Sequence, residues 1–336
     1  MSQQTMKAVR FHAHGGPEVL VYEDVPVPEL GAGEALVRVH AVGMNPPDWY
    51  ARDGFTIVPE PMRPKLELPF TPGTDISGVV EAVAGDARDV APGDEVFGMI
   101  RFPSRTSRAY AEYVAAPVAD LAKKPARLDH VHAAAVPMAA LTAWQFLIEI
   151  LHDVAPPWQS TRHQPVAIGA GTTVLVNGAA GGVGHFAVQL AKWRGARVIA
   201  VASGRHEAFV RDLGADDFID YTAVHAEEVV RDVDLVLDTV GGPGGHRFVR
   251  TLKRGGALFP VFFGDYREAA AAAGVAVSGT QVRSSGAQLA ELGRLLDAGT
   301  LRVAIDSTFA LADAARAHER AARGHIQGKL VLRVAG

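Results

Sequence analysis

The chain has 336 residues, 48% hydrophobic and 21% charged, an ordinary globular balance with length enough for two domains. Its net charge of −4, with Lys and Arg scattered, offers no basic field for nucleic acid, and no apolar run approaches the ~18 residues of a membrane span. It has no cysteine, which excludes disulfides, thiolate metal sites and a cysteine nucleophile. The first strand breaks early, at Phe11-His12-Ala13-His14-Gly15-Gly16, and no charged-then-apolar signal pattern is present, so a cytoplasmic location is expected. The 13 histidines show no HExxH-like spacing. They read mostly as surface residues, with His12 and His14 on a loop and His130 and His132 at a helix start, and no metal site is expected.

Residues 6 to about 125 read as short strands between Gly/Pro turns. The clearest strands are Lys7–Phe11, Ala35–His40, Gly78–Val83 and Glu95–Phe97. This is the texture of a β-barrel rather than of βαβ units. A helix is expected to open at Pro46, and Asp48 and Arg52, four apart on it, read as a surface pair. From Pro137 the texture changes. A helix from Pro137 to Leu151 is followed by the Pro-rich, aperiodic stretch His152–Pro165, which reads as a surface loop. Strands follow at 173–177, 197–201, 234–238 and 256–262, with helical patterns between them. Such alternation predicts a parallel sheet with helices on both faces, an α/β fold. Leu330–Val334 is a further short strand, and with it the C-terminus is expected to return to the first domain.

The most specific local signal is Thr173–Asn177 running into Gly178-Ala179-Ala180-Gly181-Gly182-Val183-Gly184. Apolar residues at Val183, Phe186, Ala187, Leu190 and Ala191 then continue at helical spacing. Strand, tight turn and helix are the context a dinucleotide fingerprint requires, although Ala179 stands where the first Gly of G-x-G-x-x-G would be. Small residues let the backbone approach a pyrophosphate, and the helix N-terminus supplies free N–H groups and positive partial charge. A second strand ends at Ser203, where an Asp or Glu would bind the ribose hydroxyl of NAD. The sequence there is Ser203-Gly204-Arg205-His206, with no acid. A hydroxyl and a guanidinium suit a 2′-phosphate, which points to NADP; the plainer alternative makes Arg205 an exposed residue at a helix start.

Several further motifs stand in order along the chain. They include Val39-His40-Ala41-Val42-Gly43-Met44-Asn45-Pro46-Pro47-Asp48, Gly73-Thr74-Asp75-Ile76-Ser77-Gly78, Pro92-Gly93-Asp94-Glu95-Val96-Phe97-Gly98 and Leu141-Thr142-Ala143-Trp144. Leu213-Gly214-Ala215-Asp216, Asp238-Thr239-Val240-Gly241-Gly242 and Gly324-His325-Ile326-Gln327-Gly328-Lys329-Leu330 complete the set. Together they resemble the medium-chain dehydrogenase/reductase superfamily, in its zinc-independent quinone oxidoreductase branch. The resemblance implies a GroES-like β-rich catalytic domain over 1–136 and 300–336, and a doubly wound Rossmann domain over 137–299. It also implies a cofactor cleft between the domains and a homodimer formed through the sheet edge near Val275 to Gly279.

In zinc-dependent members of that superfamily a Cys, a His and a second Cys hold the metal. Those positions align here with Asn45, Thr74 and Met138, which are poor substitutes. The resemblance implies that Asn45 lies beside the nicotinamide and that Tyr50 lines the substrate pocket as a donor of a hydrogen bond or proton; a helix cap at Asn45 and packing at Tyr50 are the plainer alternatives. It further implies that Thr142 contacts the nicotinamide side, that Tyr221 approaches the 2′-phosphate, and that Phe262 and Phe263 lie along the nicotinamide ribose. Val240 ends a strand, where ligands gather in open α/β sheets. Lys329 either reaches the cofactor phosphates or is solvated. The expected activity is NADPH-dependent reduction of a quinone or an α,β-unsaturated carbonyl. Enoyl-thioester reduction and a non-catalytic, crystallin-like role are the alternatives.

Overall fold

The computed structural model describes residues 4–85, 89–101, 108–149 and 163–334. Of the Pro-rich stretch at 152–165, only His163–Pro165 fall within the described residues. The chain divides into two compact units. One contains Met1–Leu141, Arg283–Gly299 and Val303–Gly336; the other contains Thr142–Val282 and Thr300–Arg302.

The first unit is built around the strand Glu34–Gly43. Ala35, Val37, Val39 and Ala41 alternate along it and are buried, the period-two pattern of a half-buried strand. The sheet runs in the order Ile305–Ala310, Lys329–Arg333, Glu34–Gly43, Asp75–Val83, Glu95–Met99, Leu121–Lys123, and Tyr113–Pro117 also pairs with Glu34–Gly43. The C-terminal strand Lys329–Arg333 is therefore interior to the sheet. It runs antiparallel to Glu34–Gly43, with Val331 opposite Gly43 and Leu332 opposite Val42. Continuing that register past the strand end brings Lys329 towards Asn45. Val37, Ile76, Val96, Tyr110 and Leu332 pack in one apolar cluster beneath the sheet.

Helix Gly286–Asp297 also lies in this unit, not in the second domain that the expected boundary at 299 gave it. The physical reason is its packing. Gly286 sits so close to the Leu121 carbonyl that a Cβ would overlap it, and the Arg127 N–H donates to Asp297 Oδ1 at 3.1 Å.

The second unit is a six-stranded sheet in the order Asp217–Asp220, Arg197–Ala202, Thr173–Asn177, Val233–Asp238, Leu252–Pro260, Ala276–Val277. Every pairing in it is parallel. Numbered within this unit, the order is 3-2-1-4-5-6, the doubly wound arrangement. Val174, Leu175 and Val176 are all buried, as a strand covered on both faces requires. The order reverses between Thr173–Asn177 and Val233–Asp238, so a crevice for ligand is expected at their carboxyl ends. Two elements differ from expectation. The helix from Pro137 ends at Leu147, and the fifth strand spans Leu252–Pro260, leaving Phe262 and Phe263 in the segment that follows.

Because Leu332 is fully buried in an interior strand, Leu332→Ala should cost about 2–5 kcal/mol of stability, read by denaturant unfolding.

Candidate active site

In the second unit the fingerprint turn has the shape its sequence predicts. Gly178 adopts φ +77°, a left-handed conformation that glycine accepts freely. The Gly178 and Ala179 N–H groups donate to the Val201 carbonyl at 3.0 and 3.1 Å. Gly181 caps the helix Gly182–Trp193, and Ala180 and Val183 complete the turn beside it. A Cβ at Gly184 would overlap the Gly178 carbonyl, so only glycine allows the helix to approach the strand so closely. The result is bare backbone at the N-terminus of a three-turn helix, at the crevice the strand order defines.

A group that sequence reasoning quoted only as part of a motif holds this crevice together. Asp238 is fully buried at the end of its strand. Its Oδ1 accepts from Asn177 Nδ2 at 2.8 Å and from the Val240 and Gly241 N–H groups at 3.0 Å each. Its Oδ2 accepts from the Tyr266 hydroxyl at 2.9 Å. Burial, reinforced by the Asp238 charge, holds that phenol well above its usual pKa. Val240 follows as an exposed side chain, and the Gly242 N–H donates to the Phe263 carbonyl at 2.8 Å. Val240, Phe262 and Phe263 are thus gathered at one end of the sheet, with the two Phe rings edge to face at 5.4 Å. Thr142 is buried on the helix Pro137–Leu147.

Ser203, Arg205 and Tyr221 come together at the ends of neighbouring strands. Ser203 caps the turn Gly204–His206, and the Tyr221 N–H donates to the Ala202 carbonyl at 3.2 Å, leaving its ring exposed. Arg205 is exposed, and its Nε lies 3.1 Å from His206 Nε2. The acid missing from the second strand's end has a neighbour that the sequence did not flag. Asp220, ending the adjacent strand, packs against Gly204 and accepts from the Thr222 hydroxyl at 2.6 Å and its N–H at 2.9 Å. The Thr222 hydroxyl, with backbone donors behind it, holds this carboxyl below the usual carboxylate range.

The first unit carries a buried polar cluster. Asn45 opens helix Pro46–Arg52 and is only 2% exposed. Its N–H donates to Asp48 Oδ2 at 2.9 Å, its Oδ1 accepts from the Lys329 ammonium, and its Nδ2 makes long contacts to the Gly43 carbonyl (3.3 Å) and Thr74 Oγ1 (3.5 Å). Lys329 is not solvated. It is buried, donating also to the Met44 carbonyl at 2.6 Å. Burial lowers its pKa, while the charges of Asp75 and Asp48 oppose that shift. Asp75 in turn accepts from the Met138 N–H at 2.9 Å and the Thr74 hydroxyl at 3.1 Å.

The expected surface pair of Asp48 and Arg52 does not exist, because both side chains point inward to partners remote in sequence. Arg52 donates from Nε to the Gly15 carbonyl at 3.0 Å and from Nη1 to His318 Nδ1 at 2.9 Å. A guanidinium cannot accept, so the neutral ring carries its proton on Nε2. That N–H donates to the Tyr110 oxygen at 3.1 Å, and the Tyr110 O–H donates to Asp48 Oδ2 at 3.2 Å. Burial, then the Arg52 charge, lowers the His318 pKa to about 3. Burial raises Asp48 to about 7, against the pull of the Asn45 N–H, and its Oδ1 has no partner among the described residues. His163, His185 and His206 are buried as well, so the histidines are less a surface population than their sequence context suggests. Tyr50, on the same helix as Asp48, is half-buried against Phe11 and Phe55. Burial raises its phenol pKa, with Asp53 adding to the shift.

Asn45, Thr74 and Met138 do come together, but as a carboxamide, a hydroxyl and a thioether. Thr74 is spent on Asp75, and Met138 meets the cluster through its N–H. This set does not fit zinc, and among the described residues no group of three or more His, Asp or Glu could hold a metal ion.

Two family models match parts of the chain. Residues 31–126 match the alcohol dehydrogenase GroES-like domain, and residues 213–332 match a zinc-binding dehydrogenase domain. A mitochondrial NAD(P)H oxidoreductase of Mus musculus is 32% identical over 90% of this chain and 82% of its own length. A chloroplastic NADPH-dependent alkenal/one oxidoreductase of Arabidopsis thaliana is 31% identical over 97% of this chain and 79% of its own. The structure of a quinone oxidoreductase from Coxiella burnetii superposes with a TM-score of 0.86 at 35% identity, covering 99% of this chain and 100% of that one. Fold and site therefore define an oxidoreductase of the medium-chain dehydrogenase/reductase superfamily. Within that class the chain belongs to the zinc-independent, quinone oxidoreductase-like branch.

Two outcomes are expected. Gly184→Val should abolish nicotinamide dinucleotide binding by forcing the helix off the Gly178 carbonyl, as read by calorimetric titration. Asp48 binds its proton more tightly folded than unfolded, so its contribution to stability is full below ~pH 4 and is lost as pH rises through about 7. The stability of the native protein relative to Asp48→Asn should accordingly fall across that range, by at most about 1.4 kcal/mol per pH unit.

Proposed function

We propose that the protein is an NADPH-dependent reductase of a quinone or an α,β-unsaturated carbonyl, working without a metal. The observation that carries this reading is the bare-backbone cradle from Gly178 to Gly184 at the switch point of the sheet. Gly178, Ala179, Ala180, Gly181, Gly182, Val183 and Gly184 would form the pyrophosphate cradle, the first turn of the helix offering its N–H groups while those of Gly178 and Ala179 tie the turn to Val201. Ser203, Arg205 and Tyr221 would take the 2′-phosphate, with Arg205 as the charged donor. Asp220 does not compete for Arg205 in this scheme, because its oxygens are engaged by Thr222 and Gly204. Thr142, Val240, Phe262 and Phe263 would flank the nicotinamide side.

When bound, the reduced nicotinamide supplies the hydride. The chain's own task is to position the acceptor and stabilise the oxygen that gains charge. Asn45 would donate from Nδ2 to that oxygen, giving up its long contact to Thr74 while keeping the one to Gly43. Tyr50 would supply the proton. Its raised pKa keeps the phenol protonated through neutral pH, so it acts as a donor there and not as a base. A homodimer through the edge strand Ala276–Val277 fits this reading, since that strand is the last in the sheet.

Arg205→Ala should weaken NADPH binding by about 10-fold or more while leaving NADH nearly unchanged, since only the former loses a charge-assisted contact. Equal losses for both cofactors would contradict the assignment. Steady-state NADPH oxidation against 1,4-benzoquinone, 9,10-phenanthrenequinone and a simple enone tests the substrate class. Turnover of one class is the expected result, and turnover of none would move the assignment to an acyl-thioester acceptor.

A further inference from the structure

An Asn side chain presents a carbonyl on one side and an NH2 group on the other, and the surroundings decide which faces where. Around Asn45 two independent contacts make that decision. The Lys329 ammonium can only donate, so it takes Oδ1. The Gly43 carbonyl can only accept, so it takes Nδ2. Turning the amide over would set donor against donor at Lys329 and acceptor against acceptor at Gly43. Thr74 agrees with this polarity, because its hydroxyl proton goes to Asp75 Oδ1 and its oxygen is left to accept from Nδ2.

The backbone on either side is held as well. The Asn45 N–H is taken by Asp48, and the Asp48 N–H donates back to the Asn45 carbonyl at 3.0 Å. Asp48 in turn terminates the donor chain Arg52–His318–Tyr110. That chain cannot carry a proton through, since its far end is a guanidinium, which does not deprotonate in a protein. It is a fixed support rather than a relay.

We infer that Lys329 is the positioning residue of this site: it locks Asn45 with the NH2 group as the side offered to a substrate oxygen, and its charge strengthens that donor. The inference rests on the proposed role of Asn45 as a substrate contact. A cation bonded to an amide oxygen draws electron density from the nitrogen and makes its N–H a better donor, as cooperative chains of hydrogen bonds do. The buried ammonium thereby supplies, through one amide, part of the electrostatic help that a metal supplies in zinc-dependent relatives. The charge of Asp75, joined by Asp48 where it is ionised, compensates the buried ammonium.

The test is a mutant cycle on the full-length protein, using NADPH and whichever quinone or enone it turns over. Lys329→Met leaves the Asp75 charge without the ammonium that opposes it and risks unfolding, so the cycle uses Lys329→Met/Asp75→Asn, which removes both charges together. The double variant should lose kcat by about 10-fold or more with NADPH affinity unchanged, because an oriented donor to developing charge is lost and cofactor binding is not. Adding Asn45→Ala to it should cost little more, since both changes remove one interaction. A double variant that melts cooperatively and keeps wild-type kcat, while Asn45→Ala alone is impaired, overturns the inference and leaves the role of Asn45 standing. Losses that multiply fully would also overturn it. A wild-type kcat in Asn45→Ala would instead remove the substrate-contact reading, and with it the ground for this one. If the double variant does not fold, Lys329→Gln/Asp75→Asn decides: its amide keeps a donor to Asn45 without the charge, so kcat should fall with NADPH affinity retained, and unchanged kcat would overturn the inference.

Discussion

Taking an ammonium out of water costs several kcal/mol unless carboxylates and carbonyl oxygens meet it in good geometry. In the first unit Lys329 is buried, and what meets it comes from widely separated parts of the chain. Asn45 and Met44, which accept from it, lie just past the end of Glu34–Gly43; Asp75, whose charge acts on it, opens the next strand, and Lys329 itself opens the C-terminal strand. The charge arrangement and the sheet register therefore require each other. Slipping Lys329–Arg333 by one residue would turn its side chains to the other face, taking Lys329 from its partners and Leu332 from the core. An interior C-terminal strand is thus held by apolar packing along its length and by charge at its start.

The second unit solves a comparable problem with a single carboxylate. Asp238 ties the ends of two strands at the point where the sheet order reverses, and Tyr266 satisfies its remaining oxygen. Each unit therefore carries buried, hydrogen-bonded polar groups among or beside the residues proposed to meet a ligand. Such groups are costly when left unpaired, which makes the neighbouring backbone rigid and keeps a binding surface preorganised.

Much of the fold was legible in the sequence because its signals are local. The β-branched run at Thr173–Asn177, the glycines after it and the helical spacing beyond all act within a dozen residues, and the structure follows them closely. The wrong reading of Asp48 and Arg52 has the opposite cause. Their i,i+4 spacing is a local cue, but the partners that turn them inward are Tyr110, 62 positions from Asp48, and His318, 266 positions from Arg52. No periodicity within the helix reports such contacts. Lys329 escaped for the same reason, since its partner Asn45 is 284 positions away. Helix Gly286–Asp297 looked like a continuation of the parallel-sheet domain in sequence order. Only its packing against Leu121 and Arg127 gives it to the first unit. Asp220 is not visible from the second strand alone, because that strand ends without an acid and the acid comes from the neighbouring strand.

On the proposed function, reduction proceeds without a metal from the buried polar cluster around Asn45 and Lys329. The most direct measurement is NADPH-dependent turnover before and after exhaustive dialysis against a strong chelator, with metal content measured on the same samples. Metal-free protein is expected to keep full turnover and to gain nothing on adding zinc. Activity that disappears with the chelator and returns with zinc would contradict it.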